Sequence, residues 1–507
     1  MSTDSSNTTQ IYWSELAQSK LNEFTLRDYQ SVAVDKLADQ ESVFICDTMG
    51  LGKTVTTVAL DSVRREQYHS KKHKHYTLVI APLSGVVDSW VRHFRRARPD
   101  LVVKRIDPKN RERLYLLKNG EPEPDVVVVH HEACRPKLLG EWLADPYWGR
   151  GDFNNRTKSK FQWAHVIVDE AHAFKNYRGR KKTQRAIGLH KIRKVAYKTA
   201  LTGSPIVNRP DEMWSILHWL YRQNQEWRSY WRFYEQYVNY IYATNDKGEY
   251  LGYHIVIGPK NSDELREKIE PFYIRRRKEH VLRELPDKYF TEHTVELSPK
   301  ERKPYNDMKQ EMLAWVNDQE GNEKPVQAPI VIAQLARLQQ FALGTGGLNA
   351  KGDVVINKPS TKLDAIMDIV NSTDEQIVVF SQFKQFINLL RDELNAQDVS
   401  NEILTGETPM KFRDRMVQDF LKEKYRVFAA TIRAGGVGID LYTSSTCIFA
   451  DRDWSPAINE QAEDRLHRLG QKNAVQIIDI VASDTVDLGK QQRLEQKWKW
   501  IKEILGE

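Results

Sequence analysis

Eight consecutive residues, Asp47-Thr48-Met49-Gly50-Leu51-Gly52-Lys53-Thr54, have the types and spacing to hold a nucleotide phosphate. Glycines let backbone N–H groups turn inward onto phosphate oxygens. Lys53 can reach the β/γ-phosphates, and the Thr54 hydroxyl can hold Mg²⁺. A helix starting behind the loop adds a favourable dipole for the anion. A second cluster lies downstream, where the apolar run His165–Val168 leads into Asp169 and Glu170. Asp169 at a strand end suits Mg²⁺ coordination through water. Glu170 suits orienting and deprotonating an attacking water. The loop is a variant, since the generic pattern carries Gly where Asp47 stands. A glycine loop alone could be an ordinary turn, and an Asp-Glu pair alone could cap a helix. Together, in a strand–loop–helix setting, they favour phosphoryl chemistry.

The surrounding chain must supply strands whose ends carry these residues. From Leu21 to Pro205, apolar runs at Val43–Cys46, Thr77–Ala81, Val126–Val129, His165–Val168 and Val195–Leu201 alternate with helical segments. Such alternation predicts a parallel sheet with helices on both faces. Ligand sites in these sheets lie at the carboxyl ends of the strands, where Asp47 and Asp169 both fall. From Asp211 to Asn357 the texture changes: Trp214, Leu217, Trp219, Leu220, Trp227 and Trp231 recur at mostly helical spacings and read as helix cores. A second alternating region has strands at Gln376–Phe380, Glu402–Leu404, Arg426–Ala430, Cys447–Ala450 and Val475–Ile480. The expected organisation is a loose tail (1–20), a first α/β lobe (21–209), helical insertions and a linker (210–360), a second α/β lobe (361–485) and a C-terminal docking helix (486–507).

Composition narrows the class. The 507 residues carry a formal net charge of +7, which permits a polyanionic partner without requiring one. Cys46, Cys134 and Cys447 lie far apart, with no CxxC pair, so no zinc site or disulfide framework is expected. No stretch stays apolar for the ~20 residues of a membrane span, and Met1–Gln10 lacks a signal pattern. The expectation is a soluble intracellular protein, cytoplasmic in a bacterial or viral setting and nuclear in a eukaryotic one.

An ordered series of motifs from Leu26 to Ile480 resembles the Swi/Snf-like ATPases of helicase superfamily two, with Asp169-Glu170-Ala171-His172 as a DEAH-box type second motif. Leu26-Arg27-Asp28-Tyr29-Gln30 is similar to the family's adenine-reading motif. Ala81-Pro82-Leu83-Ser84 with Trp90 is similar to its first nucleic-acid motif, and Thr202-Gly203-Ser204-Pro205 to the one coupling ATP state to DNA. Phe272-Tyr273-Ile274-Arg275-Arg276-Arg277-Lys278, followed by Glu284-Leu285-Pro286, is especially characteristic; a nuclear address at Arg275–Lys278 is the alternative for that run. In the second region, Val379-Phe380-Ser381-Gln382-Phe383, Thr431–Asp440 and Gln461–Gln471 match in order.

The resemblance implies two RecA-like lobes that bind ATP and Mg²⁺. Lys53, Asp169 and Glu170 would be catalytic, with Arg465 and Arg468 as arginine fingers; three residues apart, they would share one helix face. Gln30, Asp47, Thr48, Met49, Gly50, Leu51, Gly52, Lys53, Thr54, Gly438 and Asp440 would surround the nucleotide. Thr54 and Asp169 would hold Mg²⁺, the latter through water. Pro82, Leu83, Ser84, Ser381, Gln382, Thr431, Gly435 and Gly436 would meet nucleic acid. The implied activity is ATP-driven movement along double-stranded DNA by a protein monomeric off DNA. Alternatives are a helicase or annealing helicase at forks and recombination intermediates, and a slow ATP-gated DNA clamp. Two positions depart from the family: it commonly has Glu at Thr48 and often Asn near Asp440.

Overall fold

The computed structural model describes residues 12–68, 74–82, 84–107, 122–150, 157–179, 182–245, 247–321, 328–349, 354–436 and 439–507. The chain divides into two compact units. The first runs to Asn239 and includes Gly258–Val281 and Glu503–Glu507; the second comprises Tyr240–Ile257 and Leu282–Lys502.

The first unit is built on seven strands: β1 (Ser42–Ile45), β2 (Tyr76–Ala81), β3 (Val103–Ile106), β4 (Val126–His130), β5 (Trp163–Val168), β6 (Tyr197–Leu201) and β7 (Tyr273–Ile274). They lie in the order β7-β1-β6-β5-β2-β4-β3, with every neighbouring pair parallel. β1, β2 and β5 are buried along their whole length, as near-continuous apolar strands between helix layers must be. Helices α1 (Asp28–Leu37), α2 (Lys53–Gln67) and α3 (Ser84–Ala97) contribute Val34, Leu60, Val63, Val87 and Phe94 to the same core. β3 and β7 were not legible as strands. Val103-Lys104-Arg105-Ile106 is half polar, and β7 is two residues long and recruited from far downstream.

The second unit has strands β8 (Lys288–Val295), β9 (Ile377–Ser381), β10 (Asn401–Leu404), β11 (Val427–Thr431), β12 (Thr446–Phe449) and β13 (Val475–Ala482). Their order is β8-β13-β12-β9-β11-β10, again all parallel. The unexpected member is β8, an edge strand, mostly exposed and rich in polar residues, so it lacks the apolar signature of the others. Helix α4 spans Pro456–Glu463 and helix α5 Val486–Leu505. The two sheets are the two RecA-like lobes. Among the described residues no helix is long and apolar enough to cross a membrane.

Most insertion aromatics pack as expected: the helix Met213–Leu220 is buried throughout, and Trp227 is buried. Trp231 is not, at 59% exposed. Its helix, Tyr230–Tyr237, buries Phe233, Tyr234 and Tyr237, and Trp231 falls on the opposite face.

A polar network fills part of the first core. His165 Nδ1 lies 2.7 Å from Asp61 Oδ1, and its Nε2 lies 2.8 Å from Thr199 Oγ1. Arg64 also bonds Thr199 (2.7 Å), and Arg65 pairs with Asp61 at 2.8 Å. Burial pushes the pKa of His165 down to about 4, and those of His75 and His131 to about 3. An unfolded histidine titrates near 6.5, so the unfolded chain takes up these protons first. Their contribution to stability is therefore complete above about pH 6.5 and is lost as pH falls toward 4. Melting temperatures measured from pH 7.5 to 4.5 should decline steadily below 6.5. A flat profile over that interval would show that these histidines do not change protonation between the two states.

Candidate nucleotide site

β1 ends at Ile45, and the loop behind it enters α2 at Lys53. Gly50 and Gly52 have φ of +88° and +69°, in the left-handed region that glycine tolerates. A Cβ on Gly52 would also sit 2.7 Å from Gln30 Nε2. Lys53 Nζ donates to the carbonyls of Asp47 (2.7 Å) and Thr48 (3.3 Å) inside the loop. Thr54 follows on the first helical turn, half-buried.

Two of the expected nucleotide contacts are otherwise employed. The Asp47 side chain is fully buried, and its carboxylate is gripped by Arg276, whose Nε donates at 3.0 Å. Thr48 Oγ1 accepts the Lys278 N–H at 3.0 Å, and Thr48 N–H donates to the Arg276 carbonyl at 3.0 Å. The departures at 47 and 48 thus fasten the loop to the segment after β7, leaving only their backbones toward the loop interior. Gln30 is buried too; its amide donates to Leu51 and Gly52 carbonyls, each at 3.4 Å. Tyr29 Oη donates to the Leu51 carbonyl (3.2 Å), and the Arg276 guanidinium lies 5.0 Å from the Tyr29 ring.

The neighbouring Arg275 bonds the carbonyls of Cys46 and Gly203, both at 3.0 Å, and pairs with Glu507. Lys278 is buried. These contacts make Arg275, Arg276 and Lys278 an internal brace of the glycine loop and its surroundings, which an exposed nuclear address would not be. The sequence signal was present: a short apolar run, Phe272–Ile274, immediately before the cations.

β5 delivers Asp169 and Glu170. Four hydrogen bonds fix Asp169: its N–H donates to the Ile80 carbonyl (2.9 Å), and its carbonyl accepts from His131 Nε2 (2.8 Å). Its Oδ1 accepts from the Glu170 N–H (2.9 Å), and its Oδ2 from Trp90 Nε1 (2.9 Å). Burial raises the Asp169 pKa, the adjacent Glu170 charge raises it further, and the Trp90 bond and Lys53 oppose both. Glu170 sits at φ 47°, ψ 53°, a left-handed conformation costing a non-glycine residue about 1–3 kcal/mol. Such strain is retained where surrounding structure imposes it, typically at functional sites. His172 Nδ1 lies 3.2 Å from Glu170 Oε2 and 3.0 Å from Thr202 Oγ1. Thr202 Oγ1 accepts from the Ser204 N–H at 3.0 Å, and a Cβ on Gly203 would be 3.7 Å from Lys53 Nζ. The phosphate loop, the Asp-Glu pair and Thr202–Pro205 are therefore one connected cluster.

Trp90, read from sequence as part of a nucleic-acid motif, is 1% exposed and bonded to Asp169, so it faces the carboxylate cluster. Pro82 is half-buried and α3 begins at Ser84; Leu83 lies outside the described residues.

In the second unit, Ser381 is fully buried and bonded to Asp451. Gln382 Nε2 donates to Asp451 Oδ1 (2.9 Å) and to the Arg452 carbonyl (2.7 Å). Gly435 is buried, and a Cβ there would strike the Phe380 ring at 2.6 Å; one on Gly436 would meet the Ile432 carbonyl at 2.8 Å. Packing accounts for these glycines and for the Ser381 hydroxyl, which leaves the half-buried Gln382 and Thr431 as the accessible members of that group. Gly438 lies outside the described residues.

The two arginines differ. α4 stops at Glu463, and the chain tightens into i→i+3 bonds, Arg465 N–H to Ala462 and Leu466 N–H to Glu463, both 3.1 Å. Arg465 and Arg468 therefore lie in the turns beyond the helix, and both reach the Gly436–Asp440 segment. Arg465 is 5% exposed and donates to the carbonyls of Gly436 (2.7 Å), Ile439 (3.3 Å) and Gln461 (3.2 Å). Arg468 is more accessible and pairs with Asp440, the second family departure.

Two parallel-sheet lobes, the first bearing a glycine loop and an Asp-Glu pair, are the layout of a two-lobed ATPase class. The chain belongs to the SNF2-related family: its SNF2-related domain matches residues 16–342, and a helicase conserved C-terminal domain matches 361–470. It is 27% identical over 489 residues to a putative ATP-dependent helicase/translocase of Bacillus subtilis, covering 93% of this chain and 48% of that protein. It is 27% identical over 467 residues to a probable ATP-dependent DNA helicase of Arabidopsis thaliana, covering 89% of this chain and 39% of that one. The chain spans less than half the length of these relatives. A solved Sulfolobus solfataricus SWI2/SNF2 ATPase core in complex with dsDNA matches at 21% identity, 95% and 97% coverage and a TM-score of 0.40.

Proposed function

We propose that this chain is a DNA-stimulated ATP hydrolase that moves along double-stranded DNA. The observation that carries the reading is the cluster just described: Lys53 inside the glycine loop beside Gly203, with its charge acting on Asp169, which Glu170 adjoins. The loop backbone, Lys53 and Thr54 hold the phosphates, Gln30 props the loop, and Glu170 orients and deprotonates water. Among the described residues there is no group of three or more His, Cys, Asp or Glu side chains suited to a metal. The oxygen donors present, one carboxylate and one hydroxyl, fit Mg²⁺, which binds through few protein ligands plus phosphates and water. Mg²⁺ would supply charge neutralisation between the β- and γ-phosphates.

DNA as the partner is supported by the likeness to the Arabidopsis relative, a probable ATP-dependent DNA helicase, and by the positive net charge. The contacts would be mainly to phosphates, through the Pro82–Ser84 segment, Gln382 and Thr431. ATP turnover measured with duplex, single-stranded and forked DNA and with duplex RNA tests this reading. Duplex DNA should stimulate most; greatest stimulation by forks would favour the fork-helicase alternative.

Arg468 is the stronger finger in this scheme, because among the described residues its fork is held by the half-exposed Asp440 alone. Arg468→Ala should cut single-turnover hydrolysis severely and leave the melting temperature intact, and Lys should rescue little. Arg465→Ala should also lower stability, by about 1–3 kcal/mol, since it strips donors from buried carbonyls. Equal and unchanged melting of both variants would contradict that distinction.

A further inference from the structure

Resting on the reading of Asp169 as the Mg²⁺-side carboxylate, we infer that Trp90 is a positioning residue for the metal site: its indole N–H sets the plane of the Asp169 carboxylate. An aspartate carboxyl group rotates over a broad, nearly two-fold torsional well, so its plane is fixed only by directional bonds. Here there are two, on opposite oxygens: Trp90 Nε1 to Oδ2 and the Glu170 N–H to Oδ1, both 2.9 Å. An ionised carboxylate has about four acceptor positions, so two remain for metal-bound water. The backbone of Asp169 is pinned independently, by Ile80 and His131. Removing the indole bond would therefore loosen the carboxylate plane alone, leaving it to the single Glu170 N–H bond.

Elsewhere among the described residues, buried indoles donate to a backbone carbonyl or, at Trp219 and Trp227, meet no hydrogen-bond acceptor. Trp142, Trp163 and Trp214 donate to the carbonyls of Tyr147, Leu143 and Trp227, each at 2.9 Å. Trp90 instead donates to a carboxylate, a charge-assisted bond stronger than a neutral one of the same length. Its ring is locked against rotation: it is buried beside Val87, with the Phe94 ring 6.0 Å away. A rigid donor on a packed helix is what orienting a metal-side ligand demands. Partners of this kind, behind the residues that meet the metal, are worth about 10–100-fold in metal affinity or activity.

The test replaces the N–H and little else. Trp90→Phe keeps an aromatic ring in the core. Incorporating β-(3-benzothienyl)alanine at position 90 keeps the full shape with sulfur for the N–H, and serves if the Phe variant folds poorly. Binding of a fluorescent ADP analogue is titrated with Mg²⁺, and separately measured in excess chelator. The expected result is a Mg²⁺ midpoint raised by about 10-fold or more, with unchanged affinity in chelator and unchanged melting of the isostere. An unchanged Mg²⁺ midpoint in the isostere overturns the inference while leaving the ATPase reading standing. A wild-type protein whose nucleotide binding ignores Mg²⁺ overturns both.

Discussion

Glu170→Gln is expected to bind ATP nearly as well as the wild type while hydrolysing it roughly 10²–10⁴ more slowly. Glutamine keeps the length and volume of the side chain but cannot take a proton from water. The strained backbone at position 170 should survive, because the bonds imposing it belong to neighbours: Asp169 to Ile80 and His131, and the turn bond from Ala173 N–H to the Glu170 carbonyl at 3.0 Å. The amide can also still face His172. Equilibrium binding of a fluorescent ATP analogue, paired with single-turnover hydrolysis, separates the two effects. Loss of nucleotide binding together with activity would reassign Glu170 to a structural role.

Lys53→Ala should cut hydrolysis severely and weaken nucleotide binding as well. The lysine is the cation inside the loop, and losing one preorganised charge donor from a phosphoryl-transfer site costs on the order of 10²–10³ in rate. The fold should be indifferent. Among the described residues Lys53 Nζ bonds only to the Asp47 and Thr48 carbonyls, and alanine is a better helix former than lysine at the start of α2. The loop keeps its external fastening through Arg276 and Lys278. Steady-state phosphate release and a melting curve on the same sample check both halves. A variant that turns over at half the wild-type rate would remove Lys53 from the chemistry.

Much of this site was legible because its chemistry is local in sequence. The glycine loop spans eight residues, and Asp169-Glu170 follows an unbroken apolar run, so spacing alone placed both at strand ends. What escaped was long-range. β7 is two residues that gain strand identity only beside β1, and Arg276 reaches Asp47 across more than two hundred residues. The Asp47 variant looked like a change in phosphate contact and is a change in how the loop is fastened. Trp90 sat in a motif whose resemblance pointed outward, yet the buried face of α3 turns it toward Asp169. The arginines' three-residue spacing suggested a common helix, and α4 ends before either of them.

The most direct test of the central claim is steady-state ATP turnover of the wild-type protein with and without long duplex DNA, at saturating Mg²⁺-ATP and two salt concentrations. The account predicts low basal turnover and strong stimulation by duplex DNA. That stimulation should weaken steeply as salt rises, because several phosphate contacts release counterions on binding. Equal stimulation by duplex RNA, or turnover that ignores both DNA and salt, would contradict it.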